Sequence, residues 1–466
     1  MRAVQVVVAG AGVAGLAAAG ALSREGHDVV LVDPDPSPPE GGAEEVFRGW
    51  ERPSIGQFQQ PHNFLGLGRR VLRESFPEVV EALEALGADE VRMDAFLGAA
   101  PREPGDEDLA TIACRRPVFD ATLRSAVLDR PRVTHRPGGV DALIASAGRV
   151  EGVVLADGAS ISADLVVDAS GRGPHGARWL AAAGLPAWDE RTAECGLLYY
   201  SRHYRLRDSG NRPPYASLLA GPRGDLGCLA YAVFLGDNDT FCVCVMVPTS
   251  ERVWRGLRDT EAFERVAARI PGVGAWLELA EPFTPVLPMG ALRNTLRTVT
   301  DGDRPRVPGL VLVGDARCHT NPTFAFGASL GLWQSVELAA AARDATDVDD
   351  VAVRLEQRIG ADARSRFEAA AAEDADRLRL WSGEPLDVTD RSATMPLFLR
   401  AVVARVAASD PELLRAVARR VNGLDPLDAL PQRTDLLDRA RALYDERRDT
   451  FPAPPPKAQL LEALAG

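Results

Sequence analysis

Apolar and polar positions divide this chain into three textures. Over residues 3–33 a continuous apolar run, a glycine-rich turn, a second apolar run to Gly26 and a third at 28–33 follow one another. That order predicts strand, turn, helix, strand. Over 65–86 the apolar positions Leu72, Phe76, Val79, Val80, Leu83 and Leu86 recur at helical spacing, and Gly87 closes the segment. Arg115-Arg116-Pro117 opens another helix, with Phe119, Leu123, Val127 and Leu128 along one side. Residues 133–136, 140–145, 150–155 and 160–162 read as a small antiparallel meander with a hairpin at Asp157-Gly158. The apolar run 163–168 then returns the chain to the main sheet.

The second texture spans 194–248. Strand-like runs at 197–204, 227–234 and 240–247 alternate with turns such as Gly236-Asp237-Asn238, and Tyr199, Tyr200, Tyr204, Tyr215 and Tyr231 concentrate there. A helix is predicted over 261–269. A buried strand over 310–313 then meets Gly314-Asp315-Ala316, and a long helix over 327–343 follows. The third texture is Ala-, Leu-, Arg- and Asp-rich, with Val351, Leu355 and Ile359 at the spacing of an amphipathic helix. Pro411 and Pro426 precede further helices, and a proline-rich linker over 452–456 leads to a last one.

Composition narrows the function classes. The 466 residues leave room for two or three domains, and 46% hydrophobic with 26% charged residues is an ordinary globular balance. A formal net charge of −13 without a basic run argues against nucleic acid or an anionic membrane surface as partner. The six cysteines contain no C-x-x-C pair; Cys242 and Cys244 sit at strand spacing and read as small buried residues. Such usage suits a reducing cytoplasm, and no metal site is read from the sequence.

Gly10, Gly12 and Gly15 stand at the G-x-G-x-x-G spacing, and Asp33 ends the second strand 18 residues after the third glycine. Gly10 would permit the tight turn and Gly12 the approach of a pyrophosphate to the helix N-terminus. Gly15 would permit close helix–sheet packing, and Asp33 would accept from ribose hydroxyls. The competing reading is a leader segment: residues 3–22 are nearly all apolar, Arg2 precedes them, and Ala17-Ala18-Ala19 resembles a peptidase site. Three glycines and a second strand ending in an acid have no place in a leader, so the dinucleotide reading stands.

Gly314-Asp315-Ala316, Pro322 and Gly327 form G-D-A-x5-P-x4-G ahead of a helix. This resembles the flavin motif of the p-hydroxybenzoate hydroxylase superfamily. Residues 163–172, ending Asp168-Ala169-Ser170-Gly171-Arg172, resemble the middle motif of its monooxygenase, epoxidase and halogenase relatives. The resemblance implies an α/β fold: a Rossmann-type FAD-binding domain (1–75, 110–185 and 285–345) with an inserted, mainly antiparallel substrate domain (76–109 and 186–284) and a C-terminal helical region (346–466). FAD is the implied cofactor. It would be held at Gly10, Gly12, Val13, Ala14, Gly15, Asp33, Arg116, Asp168, Gly314, Asp315, Pro322, Gly327, Ala328 and Ser329. Asp315 would accept from a ribityl hydroxyl, and the backbone N–H groups of Gly327, Ala328 and Ser329 would face the flavin where the helix dipole favours negative charge.

The resemblance further implies a monooxygenase that hydroxylates or epoxidises a small apolar or aromatic substrate with O2 through a flavin C4a-peroxide. NAD(P)H would supply electrons, directly or through a flavin reductase partner. Where hydroxylases normally carry Asp-Gly this chain has Asp168-Ala169-Ser170-Gly171, and the Trp-x-Trp-x-Ile-Pro signature of flavin halogenases is absent. His62, in Gln60-Pro61-His62-Asn63, is the candidate for proton transfer, or alternatively fixes its loop by hydrogen bonds. Tyr199, Tyr231, Phe324 and Phe326 are candidates for the substrate wall, or alternatively core packing. A C=C reductase of the geranylgeranyl reductase type and a non-catalytic FAD-binding protein are the other readings.

Overall fold

The computed structural model describes residues 2–214, 217–219 and 221–466; Tyr215 lies outside them. At its centre is a five-stranded parallel sheet in the order Leu310–Leu312, Leu165–Asp168, Gln5–Ala9, Asp28–Asp33, Val133–Pro137. Its strands are Val- and Leu-rich because both faces are covered. Val6 and Val8 point to one side, into a core with the helices Val13–Arg24, Arg116–Leu128 and Gly327–Asp344. Val7 and Ala9 point to the other, against Leu143, Val150, Val153 and Trp179. The apolar N-terminal segment is thus the middle of the core.

Two expectations change. The run at 133–136 leaves the meander and pairs in parallel with Asp28–Asp33, Val29 opposite Val133 and Val32 opposite Arg136. The meander keeps only Val140–Ser146, Arg149–Leu155 and Ser160–Ser162. The predicted helix over 65–86 is two helices, Gly66–Ser75 and Pro77–Ala85, because a residue before proline is pushed out of the helical region. Phe76 takes φ −145° there. Gly87 is left-handed at φ 88°, as a helix stop requires.

The second sheet is antiparallel, in the order Arg223–Asp225, Ala230–Leu235, Thr240–Pro248, Leu197–Leu206, Ala280–Pro282. All nine residues of Thr240–Pro248 are buried, because one face meets helix Thr260–Ala267 and the other a large cavity. The tyrosines divide accordingly. Tyr200, Tyr204 and Tyr231 pack in the helix-side core, Tyr204 donating to Glu264 at 2.6 Å and Tyr231 also touching the cavity, whereas Tyr199 lies on the cavity side. The six cysteines are free and buried.

The C-terminal region is helical. Its first helix, Val348–Trp381, is 34 residues long and starts on an Asp347 cap that accepts from the N–H groups of Asp349 and Asp350. Val351, Leu355 and Ile359 bury against the sheet-side core. Helix Lys457–Ala465 returns to the second sheet, where Leu460 and Leu464 join the core around Phe263. Among the described residues no helix is long and apolar enough to cross a membrane.

Candidate functional site

A cavity of about 1320 Å3 runs from the glycine turn to the antiparallel sheet and the C-terminal helices. Ligand pockets are usually about 300–1,000 Å3, so this one has room for a dinucleotide and a second molecule. It brings together Gly10, Gly12, Val13, Ala14, Asp33, His62, Arg116, Tyr199, Tyr231, Gly314, Asp315, Pro322, Phe324, Phe326, Gly327 and Ala328 on one surface. Residues over 300 positions apart in sequence thus meet around one volume.

The glycines of the turn differ in what they do. Gly10 has φ 108°, and a Cβ there would lie 2.6 Å from the carbonyl oxygen of Ala169. A Cβ on Gly15 would lie 1.8 Å from the carbonyl oxygen of Gly10, so Gly15 shapes the turn from behind the cavity wall. Gly12 is different. Its φ is −74°, open to any residue, and the nearest atom to an added Cβ is Ile55 Cδ1 at 3.8 Å. No described residue requires glycine at this position, and the backbone there is open to the cavity.

Two helix N-termini open into the cavity. The helices Val13–Arg24 and Gly327–Asp344 pack closely because Gly331 presents hydrogen where a Cβ would lie 3.1 Å from that of Ala14, and Ser335 donates to the Ala14 carbonyl at 2.8 Å. Each leaves its first N–H groups without intrahelical partners, facing the cavity with the positive end of a helix dipole. Asp315, on the short turn Gly314–Ala316, is half-buried, and the Gln57 amide donates to it at 3.5 Å. Its carboxylate keeps acceptor positions free for a polyol.

Three of the expected cofactor residues stand behind the wall. Gly15 is one. Asp168 is buried, and its Oδ1 accepts from the Ser170 N–H at 2.9 Å, so it fixes the loop whose Ala169, Ser170, Gly171 and Arg172 do line the cavity. Burial raises its pKa. Ser329 turns its hydroxyl to the Leu65 N–H at 2.9 Å, tying helix Gly327–Asp344 to Gly66–Ser75.

Asp33 lines the cavity but is already engaged. Its Oδ2 accepts from the Ala11 N–H at 2.6 Å and from Arg52 Nη2 at 2.9 Å, and its Oδ1 from the Asp35 N–H at 3.1 Å and again from Arg52. The four acceptor positions of a carboxylate are thereby filled. Arg52 has no exposed side-chain surface; it also reaches Asp35 at 3.2 Å and Asp120 at 3.6 Å and donates to the Ala11 carbonyl at 2.8 Å. The expected ribose acceptor is therefore an Asp33–Arg52 pair clamping the glycine turn. Arg52 escaped the sequence reading because nothing in its local pattern marks it: its partners come from the second strand and from helix Arg116–Leu128.

His62 accepts at Nε2 from Arg116 Nη1 at 3.2 Å, and its Nδ1 faces the Gln60 carbonyl at 2.8 Å. Burial and the adjacent guanidinium push its pKa down to about 3. A neutral imidazole with both nitrogens engaged holds Arg116 in place; of the two roles considered for His62, loop fixing is the one this geometry favours. Arg116 is further held by Asp120 at 3.5 Å, and its Nε is a buried donor without a hydrogen-bond partner among the described residues.

Asn321 anchors the loop between Asp315 and Gly327. It accepts from the Tyr199 hydroxyl and from the Thr323 N–H, and donates to Asp374 at 2.5 Å. Asp374 comes from the C-terminal helix Val348–Trp381 and also binds Asn294 at 2.9 Å and Arg377 at 3.0 Å; burial pushes its pKa up to about 6. Phe324 and Phe326 stack at 6.1 Å across Ala325, which is held at φ 56°.

A parallel sheet with a glycine turn, a second strand–turn–helix facing it and a cavity with room for both halves of a dinucleotide are the features of a dinucleotide-binding fold. Residues 5–193 match the model of the FAD dependent oxidoreductase family. The chain as a whole has the fold of flavin-dependent monooxygenases and halogenases. It is 28% identical to Protein Rv3254 of Mycobacterium tuberculosis over 379 residues, 75% of each chain. Among solved structures it is similar to the flavin-dependent brominase Bmp2, with a TM-score of 0.60 at 16% identity over 97% of this chain and 100% of that one. It is also similar to PqsL, a probable FAD-dependent monooxygenase from Pseudomonas aeruginosa, with a TM-score of 0.58 at 16% identity over 82% and 99%.

Proposed function

We propose that this chain is an FAD-dependent monooxygenase that hydroxylates or epoxidises a small organic substrate with O2, taking electrons from NAD(P)H directly or through a flavin reductase. The observation that carries this is the cavity itself: at about 1320 Å3 it extends beyond the two helix N-termini to a far part, a chamber beside the dinucleotide space, whose lining includes Tyr199, Met246, Met289, Phe324 and Leu397. A dinucleotide alone does not need that chamber; a substrate held beside the flavin does.

FAD supplies the two-electron reduction and the activation of O2, and the residues present fit it. Gly12 lets its pyrophosphate approach the backbone at the start of helix Val13–Arg24. The Asp33–Arg52 pair walls the adenosine end. Asp315 accepts from the ribityl chain, and the N-terminus of helix Gly327–Asp344 stabilises negative charge on the reduced ring. The apolar side chains of the second chamber exclude water and hold the substrate. His62 keeps Arg116 oriented toward the cavity as a fixed positive charge.

The test is reaction of the reduced holoenzyme with 18O2 in the presence of candidate aromatic and polyene substrates, products being read by mass spectrometry. One 18O atom per product supports the reading. Anaerobic saturation of a double bond without label would replace it with the C=C reductase.

A further inference from the structure

The cavity changes character where the antiparallel sheet and the C-terminal helices wall it. Six arginines line that part (Arg223, Arg366, Arg377, Arg400, Arg405 and Arg420) against two carboxylates, Asp225 and Glu373. In a chain of net charge −13 this is a local reversal of sign.

Three of the six are paired. Arg377 meets Asp374 at 3.0 Å and Glu373 at 2.6 Å, Arg400 meets Asp225 at 3.1 Å and Glu373 at 3.2 Å, and Arg366 meets Asp362 at 2.7 Å. For Arg223, Arg405 and Arg420 no carboxylate comes within ion-pair distance among the described residues. Arg420 donates to the Leu427 carbonyl, and Arg405 lies 5.5 Å over the Phe451 ring. Arg223 has less. Its Nε and Nη2 are buried and have no hydrogen-bond partner among the described residues, and its guanidinium lies 5.7 Å over Phe234. Burial with no compensating charge pushes its pKa down to about 10.

Buried donors are almost always satisfied, and an unpaired buried cation is costly. Strand pairing fixes Arg223 opposite Ala232, so its place on the cavity wall is set by the sheet. A planar guanidinium with free N–H groups matches a carboxylate or phosphate, which it can bind through two parallel hydrogen bonds. We infer that the substrate of this cavity is an organic anion whose oxyanion group pairs with Arg223, with an apolar body lying over Phe234 toward the flavin loop. The inference rests on the monooxygenase reading and adds the class of substrate to it. Arg223 is then a positioning residue: its orphaned donors are satisfied only when the right substrate is bound, so it discriminates against neutral analogues.

The experiment uses FAD-loaded protein and follows the visible spectrum of the bound flavin on titration with benzoate, phenyl phosphate and methyl benzoate. One of the two anions, which tell a carboxylate from a phosphate, should bind at least tenfold more tightly than the neutral ester. R223M should remove that preference, weakening the anion ten- to hundredfold, in keeping with a charge-assisted hydrogen bond, while methyl benzoate is unchanged. R223K should keep part of it. R223M without ligand should melt no lower than the parent protein, because it loses a charge that no described residue pairs. Equal binding of acid and ester, no binding of either anion, an intact preference in R223M or a lowered melting temperature of R223M would each overturn the inference. Failure of the FAD reading is seen separately, as protein that retains no flavin before any probe is added.

Discussion

Gly12 and Gly15 stand three residues apart in one turn and lack side chains for opposite reasons. A methyl group at Gly15 would collide with the Gly10 carbonyl oxygen at 1.8 Å, whereas at Gly12 it would meet only Ile55 at 3.8 Å. Gly15→Ala should therefore destabilise the apoprotein by about 2 kcal/mol or more, as overpacking against backbone does. Gly12→Ala should change its stability by less than about 1 kcal/mol yet weaken FAD binding at least tenfold. Urea denaturation and flavin titration of the two variants separate the effects. At the same scale the sequence was legible where spacing sets a position: Gly10, Gly12 and Asp315 all line the cavity. It was silent where the partner comes from another element. Nothing in the string pairs Arg52 with Asp33 or Arg116 with His62, and nothing local says that Asp168 faces its own loop and not the cavity.

Among the elements, the loop from Asp315 to Gly327 depends on a helix that the motifs do not include. Asn321 joins it to Asp374 on Val348–Trp381 and to Tyr199 on the antiparallel sheet. Asn321→Ala would orphan the Asp374 carboxylate on one side and the Tyr199 hydroxyl. At about 1–3 kcal/mol for each buried group left unsatisfied, a loss of about 3 kcal/mol is expected in chemical denaturation. Tyr199→Phe removes only one donor and should cost about 1 kcal/mol. Equal effects of the two variants would show that the network does not carry the loop. Helical periodicity revealed that a helix follows residue 348, since Val351, Leu355 and Ile359 repeat on one side. It could not reveal that Asp374 and Arg377, polar residues in the same helix, are buried beneath the loop from Asp315 to Gly327. The split at Pro77 was readable in hindsight from the proline alone, because the apolar repeat runs on unbroken through it.

Across the whole molecule, buried groups act on acid stability in both directions, and His62, His203 and Asp374 illustrate the opposition. Burial and neighbouring guanidinium charge keep His62 at about 3, and burial keeps His203 at about 4. Unfolding frees both to bind protons near about 6.5, so their contribution to stability is present above that pH and is lost as pH falls. Asp374 acts the other way: raised to about 6, it takes up a proton before an unfolded carboxyl does and returns stability on acidification. Linkage gives a loss of about 2 kcal/mol for each histidine at pH 5 and a return of about 1.4 kcal/mol from Asp374. For these three groups together the loss from pH 7 to pH 5 is then about 2.5 kcal/mol. Urea midpoints at the two pH values check it, and His62→Asn should flatten the dependence while Asp374→Asn should steepen it.

The claim on which everything else depends is that the cavity between the two helix N-termini is the FAD site. Fluorescence titration of the flavin-free protein with FAD measures it directly, run in parallel on Gly12→Ala and Asp315→Ala. Saturation at one FAD per chain, with affinity lowered at least tenfold in each variant and their folded spectra unchanged, is the predicted result. No saturable binding, or binding that neither variant weakens, would contradict it.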